Sequence, residues 1–284
     1  MAPTGRTIRS KWLGEALLKA RKNAGLTGND VARHLDWPAS KISRIENGLI
    51  RAHWGDVQEL LDLYGVTNAD ERETLVKLAK SLRERGWWQA FGGELSHPFT
   101  DLLSLEGTAS EINVYQPLLI PGLLQTRAYA MAVVGSSRMR HSQKEVERFV
   151  EIRTARQDIL TRAEPVHLWA IVGEGALRQR IGGSTAMQEQ LRHLLEISEL
   201  PNITVQVLPF TSDATTGMYS PFSILTFAGT GLPEVVHIEN LTGGIYLERP
   251  EEVGHYRDSY NHLRASALPT AESTRLIATA SKEI

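Results

Sequence analysis

The chain has 284 residues, 42% of them hydrophobic, no cysteine and a net charge of −2. That is enough apolar material for about two domains of ~100–200 residues each, and it excludes disulfides and thiolate metal sites, as expected of a protein in the reducing cytoplasm. The opening "MAPTGRTIRSKW" has no apolar core of a secretory signal, and no apolar run reaches the ~18–20 residues of a membrane span, so no membrane partner is expected.

The charge is unevenly divided. Residues 1–51 hold ten Lys/Arg against four Asp/Glu, an excess of six, so the rest of the chain carries −8. A basic head that approaches a polyanion and an acidic body that does not would give this split; ordinary surface variation gives it too.

In chain order, residues 1–10 read as a loose polar arm. Trp12–Ala24 has apolar residues at helical spacing, and Gly25 supplies the stop. Gly28–Leu35 and Ala39–Asn47 are the next predicted helices, then Asp56–Gly65 and Asp70–Gly86. "GWWQAFGGELSHPF" (86–99) breaks the texture. Ser104–Val114, Gly122–Val134 and Gln143–Arg162 are predicted helical. Beyond Pro165, strands are predicted at 166–172, 203–210, 222–229 and 234–240 from β-branched content and alternation. A helix is predicted at Thr185–Leu200, a turn at Gly243–Gly244 leading to a hairpin strand at 245–248, and two closing helices from Pro250. The fold class is α+β. An all-helical domain spans 1–85, a linker 86–103, and an α+β domain with a mainly antiparallel sheet 104–284.

The stretch "LTGNDVARHLDWPASKISRIENG" (26–48) has the pattern of two helices around a tight corner. Thr27 is a polar N-cap, Ala32 a small residue for close crossing, and Val31, Leu35, Trp37, Ile42 and Ile45 fill the interior. Asp36 stands where the corner needs a positive φ, which Asp tolerates better than most residues. Pro38 suits a helix entry. With Ile42 and Ile45 inward, Ser40, Ser43, Arg44 and Asn47 face outward and Lys41 lies at the flank. Arg44 has the reach for a guanine through O6 and N7, and Ser40 is a versatile short contact. Lys41, Ser43, Arg51 and the backbone N–H groups near Gly28 and Asn29 are candidates for phosphates. The same pattern also suits a helical corner with a solvated polar face.

Residues 12–65 resemble the XRE (lambda-repressor-like, Cro-type) helix-turn-helix family, a five-helix domain, with "SKISRIENG" similar to its recognition helix and end. The resemblance implies a structural salt bridge between Arg21 and Glu46. It also places Gly28 and Ala39 where relatives often carry glutamines that contact phosphate and base, which moves the readout to Ser40, Lys41 and Arg44. The candidate interface is therefore Thr27, Gly28, Asn29, Ala39, Ser40, Lys41, Ser43, Arg44, Asn47 and Arg51. "LEGTASEINVYQPLLIPGLLQTRAYA" (105–130), "LWAIVGEGALRQRIGG" (168–183) and "HIENLTGGIYLERPEEVGHYRDSYNHLRASALP" (237–269) are similar to the C-terminal domain of actinobacterial regulators of the antitoxin-like Scr type. That resemblance implies a transcriptional regulator, often encoded beside a small partner protein.

The body shows no catalytic pattern. Its histidines lack tight ligand spacing, its glycine turns lack a P-loop lysine, and Ser220 and Ser223 lack a nucleophile-elbow setting. His237 and Glu239 share one strand face, which suits a satisfied polar pair better than a metal or acid–base pair. Trp87, Trp88, Trp169, Tyr219 and Phe222 suit core packing better than a ligand pocket. No cofactor, metal or enzymatic activity is expected. The expected partners are double-stranded DNA, a second copy of the chain in a homodimer, a small protein encoded nearby and an unidentified small ligand. The chain would be cytoplasmic, and at the nucleoid when DNA-bound. The body would sense a ligand or partner or mediate dimerisation. The alternatives are an antitoxin-like protein whose DNA binding is autoregulation and, more remotely, an enzyme.

Overall fold

The structure is a computed structural model that describes residues 7–83, 86–88, 95–136, 142–213, 220–228, 232–240 and 243–284. The chain divides into two compact units, the first reaching Leu105 and the second taking residues 106–228 and 233–284.

The first unit is helical: α1 (Ile8–Asn23), α2 (Gly28–Leu35), α3 (Ala39–Glu46), α4 (Trp54–Leu63), α5 (Ala69–Arg83) and most of α6 (His97–Glu106). α1 starts earlier than the apolar spacing suggests. The Thr7 side chain accepts from the Ser10 N–H and the Ser10 hydroxyl accepts from the Thr7 N–H, a capping box that makes helix of part of the expected arm. Its core gathers Leu13 and Leu17 of α1, Val31 of α2, Ile42 and Ile45 of α3, Val57, Leu60 and Leu61 of α4, and Leu75, Leu78 and Leu82 of α5, all buried.

The second unit is built on a six-stranded sheet: β1 (Glu111–Gln116), β2 (His167–Gly173), β3 (Ile203–Leu208), β4 (Phe222–Thr226), β5 (Val235–Asn240) and β6 (Gly243–Leu247), in the order β3-β2-β1-β4-β5-β6. β1–β2 and β2–β3 are parallel; β1–β4, β4–β5 and β5–β6 are antiparallel. The sheet is thus mixed, not mainly antiparallel. The parallel half exists because helices α7 (Arg127–Gly135) and α8 (Gln143–Ala155) join β1 to β2, and α9 (Glu174–Arg178) and α10 (Gly183–Ile197) join β2 to β3; helical crossovers return the chain in the same direction. Buried on both faces, β2 reads "LWAIV" without polar alternation.

Three expectations are corrected locally. The helix expected over Ser104–Val114 is the end of α6 followed by β1, whose Ile112, Val114 and Tyr115 pair with β2 and β4. The long helix expected to Arg162 tightens into a 3-10 segment after Ala155. Gly243 and Gly244 are not the hairpin turn. They open β6, paired with Asn240 and Glu239, so the connection is 241–242, outside the described residues.

On one face, α11 (Pro250–Ser266) lays Val253, Tyr260 and Leu263 over Tyr115, Ile171, Phe222, Ile224 and Val236. The Tyr260 hydroxyl donates to the Trp169 carbonyl at 2.7 Å, and the Trp169 indole donates to Gln206 Oε1 at 2.8 Å. Phe222 and Trp169 therefore belong to packing; Tyr219 lies outside the described residues. The β3 edge is covered by Leu268 and the first turn of α12 (Thr270–Glu283): Leu268 N–H donates to the Val207 carbonyl and the Ser273 hydroxyl accepts from the Val207 N–H, both at 2.9 Å. Covering an edge strand's free backbone groups blocks stray pairing.

Candidate nucleic-acid interface

The candidate interface is assembled on α3, which is held from behind by α1. A Cβ added at Gly14 would lie 2.4 Å from the Glu46 carbonyl oxygen and 2.7 Å from that of Ile45, so the two backbones meet where only glycine fits. At the next step Gly48, with φ +66°, lies against the Ser10 backbone, and the Ser10 hydroxyl donates to its carbonyl at 2.9 Å. Arg21 closes the joint. Its Nε and Nη2 donate to the two Glu46 carboxylate oxygens at 2.6 and 2.9 Å, and its Nη1 donates to the Leu26 carbonyl at 2.8 Å. This fork bonds a largely buried carboxylate with both arms, raising the Arg21 pKa chiefly through the Glu46 hydrogen bond. The Tyr64 phenol is pushed up by burial and by the Glu46 charge, so it stays neutral there.

The corner before α3 is turned by Asp36, at φ 53° and ψ 42°, the only non-glycine residue with positive φ among the described residues. The Trp37 N–H donates back to the Ala32 carbonyl at 2.9 Å. Pro38 is the N-cap of α3, one place before the first helical residue, and supplies no side-chain cap.

With Ile42 and Ile45 buried, α3 presents Ala39, Ser40, Ser43, Arg44 and Asn47 to solvent, and Arg51 is exposed beyond it. Arg44 and Arg51 have no ion-pair partner among the described residues. Asn47 turns inward on its own helix, its Nδ2 donating to the Ser43 carbonyl at 2.7 Å. Lys41 is engaged twice. Its ammonium lies 3.4 Å from the Trp37 ring centroid and 3.0 Å from Asp56 Oδ2 at the start of α4. Neither Asp56 nor this use of Trp37 is legible in the corner pattern, because residue spacing does not say which way α4 returns.

At the start of α2, Thr27 is absorbed into a capping box. Its hydroxyl accepts from the Asp30 N–H at 3.2 Å, and Asp30 Oδ2 accepts from the Thr27 N–H at 2.9 Å. Hydrogen bonds from Thr27 hold the Asp30 carboxyl below its ordinary range, so this helix terminus already has an anion, and a phosphate approaching Gly28 and Asn29 would meet a like charge. A Cβ at Gly28 would meet nothing within 4 Å; the fold does not require glycine there.

In the second unit, Glu106 and Arg156, both buried, pair at 3.2 Å. Arg153 donates to Gln125 Oε1 at 2.9 Å and lies 4.0 Å from Glu239. His237 is buried and stacks on Tyr246, its register partner on β6, with ring centroids 4.9 Å apart. A Cβ on Gly244 would fall 2.2 Å from its Nε2. At the carboxyl ends of the parallel strands, Leu118 (58% exposed) and Phe210 (71% exposed) flank Gly175, where an added Cβ would touch them at 3.3 and 3.7 Å. Among the described residues no helix is long and apolar enough to cross a membrane.

A tight corner turned by Asp36, an outward polar face and a pinned second helix define a helix-turn-helix DNA-binding domain, and residues 12–75 match the family model of a helix-turn-helix domain. Residues 99–279 match the model described as a domain of unknown function (DUF5753). That match spans more than half of the chain, and the chain belongs to this family. No curated protein and no solved structure matches the chain.

Proposed function

We propose that this DNA-binding regulator is sequence-specific and transcriptional, and that it places α3 in the major groove of an operator, with the second unit governing when or with what partner it binds. The observation that carries the reading is the outward row Ser40, Ser43 and Arg44 on a helix fixed from behind by Gly14, Gly48 and the Arg21–Glu46 fork. Arg44 takes a guanine through O6 and N7, with Ser40 beside it. Arg51 and Ser43 meet phosphates, which position the domain without carrying sequence information. Two copies of the chain read an inverted repeat whose half-sites lie about one helical turn, ~10 bp, apart. No catalytic role is assigned to the second unit.

A second reading gives the family domain the larger role. In it the chain is an antitoxin-like protein, of the Scr type that its sequence resembles, which captures a small protein encoded nearby and binds DNA to regulate itself. Exposed Leu118 and Phe210, close together at one end of the sheet, favour it, since contiguous apolar surface on a folded unit marks an interaction site. Footprinting the full chain on DNA flanking its own gene tests the first reading. A protected inverted repeat is expected, and no protection in that region contradicts it.

A further inference from the structure

The Lys41 side chain lies where three segments of the DNA-reading unit meet. Trp37 belongs to the corner, Lys41 to the first turn of α3, and Asp56 to the first turn of α4. The ammonium is 3.4 Å from the indole centroid and 3.0 Å from the Asp56 carboxylate, and both charged side chains are more than two-thirds buried. The indole face attracts a cation through its quadrupole. The aliphatic stem of a lysine packs along apolar surface while its head seeks charge. Asp56 is itself favoured where it stands, because a carboxylate in the first turn of a helix meets the positive end of the helix dipole. A phosphate contact by Lys41 would break both interactions and leave Asp56 facing the polyanion alone.

We infer that Lys41 is a positioning residue, clamped by Trp37 and Asp56, that fixes the angle at which α3 presents Ser40 and Arg44, and that it does not contact DNA. This rests on the reading of α3 as the recognition helix. It also reassigns the most prominent cation of the motif: the side chains that displace the DNA's condensed counterions on binding are other residues.

Salt dependence separates a clamp from a contact, because each phosphate contact contributes about 0.9 to the slope of log affinity against log salt. The experiment uses the full-length protein and an operator recovered by selecting the wild type on randomised duplex DNA. Wild type, Lys41→Met, Lys41→Arg and Asp56→Asn are titrated with that operator and with single-base variants between about 50 and about 200 mM salt. Thermal unfolding of each variant verifies that it is folded at the assay temperature. Lys41→Met is expected to lose several-fold in operator affinity with the slope unchanged and the preference among base variants flattened. Asp56→Asn should move the same way, and Lys41→Arg, which can stack and pair in the same place, should restore preference. A slope reduced by about one unit in Lys41→Met with base preference intact overturns the inference. So does tighter binding by Asp56→Asn, the result expected if Asp56 merely competed with phosphate for the lysine. A wild type that selects no sequence overturns the DNA-reading assignment itself, and this inference with it.

Discussion

Individual side chains in the helix-turn-helix were legible to different depths. Asp36 was readable because few residues tolerate a positive φ, and the corner demands one. The outward set on α3 followed from helical periodicity once Ile42 and Ile45 were placed inside. What periodicity does not encode is which charges the fold uses internally. Arg9 is buried, its Nη1 donating to Ser104 at 3.0 Å. Arg21 is bound to Glu46 and Lys41 to Asp56. The excess of six positive charges in residues 1–51 therefore overstates what the unit shows to a polyanion. Lys19, Lys22, Arg33, Arg44 and Arg51 are the exposed cations left in that stretch among the described residues, of which Arg33 pairs with Asp30 at 3.6 Å, while half-buried Lys11 pairs with Glu15 at 3.9 Å. Of these only Arg44 lies on α3, so its truncation is the sharpest test of base reading. Arg44→Ala should weaken specific binding by ~1–3 kcal/mol and relax preference at one base pair, as read by titration against operator variants. Equal affinity and equal preference in mutant and parent would remove Arg44 from the readout.

Secondary-structure elements were visible wherever a local signal marked them and lost where a distant partner decided the outcome. Helices α1 to α5 of the first unit were marked by their caps, apolar spacing and closing glycines, whereas most of α6 lies in the stretch 86–103 expected to be a linker. β1 was not, because "EINVYQ" is short and follows a helix. Its strand identity comes from β2 and β4 on either side, and β2 is more than fifty residues away. The parallel half of the sheet is hidden in the sequence for the same reason, although the unbroken apolar run of β2 is what a strand buried on both faces looks like. The docking of α1 on α3 has one sign in the sequence. Gly14, in the middle of a helix, is a poor local choice that makes sense only if another backbone lies against it. Gly14→Ala is expected to destabilise the first unit by ~1–3 kcal/mol, the cost of forcing an atom into a packed joint. That loss should appear despite the about 1 kcal/mol that alanine gains in an isolated helix. Chemical denaturation reads this directly, and unchanged or higher stability would mean that the helices do not meet at this point.

For the molecule as a whole, the charge split at residue 51 falls inside the first unit, which up to Leu105 holds fifteen Lys/Arg against thirteen Asp/Glu, so charge does not mark the boundary between the units, and the chemistry inside the body is not legible in the sequence either. Buried Glu106, Arg156 and His237, with half-buried Arg153, come from α6, α8 with its 3-10 extension, and β5, segments with no shared sequence signal. Burial, helped by the Arg156 charge and opposed by Glu239, brings the His237 pKa from 6.5 down to about 4. The folded state thus keeps His237 neutral where the unfolded chain would protonate it. This contribution to stability is present in full above pH 6.5 and is lost as pH falls from 6.5 to about 4. Glu106, pushed up by burial, works in the opposite sense above its ordinary 4.5. His237→Phe, which keeps a ring beside Tyr246, isolates the histidine. The variant should lose less stability than the parent between pH 6.5 and about 4 when unfolding is followed by denaturant titration; parallel pH profiles would contradict the assignment.

The proposed function stands on α3 reading base sequence. Selection of the full chain on randomised duplex DNA, run beside Arg44→Ala, tests it most directly. Enrichment is expected of an inverted repeat whose half-sites lie about one helical turn apart and contain a guanine that the variant no longer requires. Enrichment of no sequence, or of the same sequence at equal strength by both proteins, would contradict it.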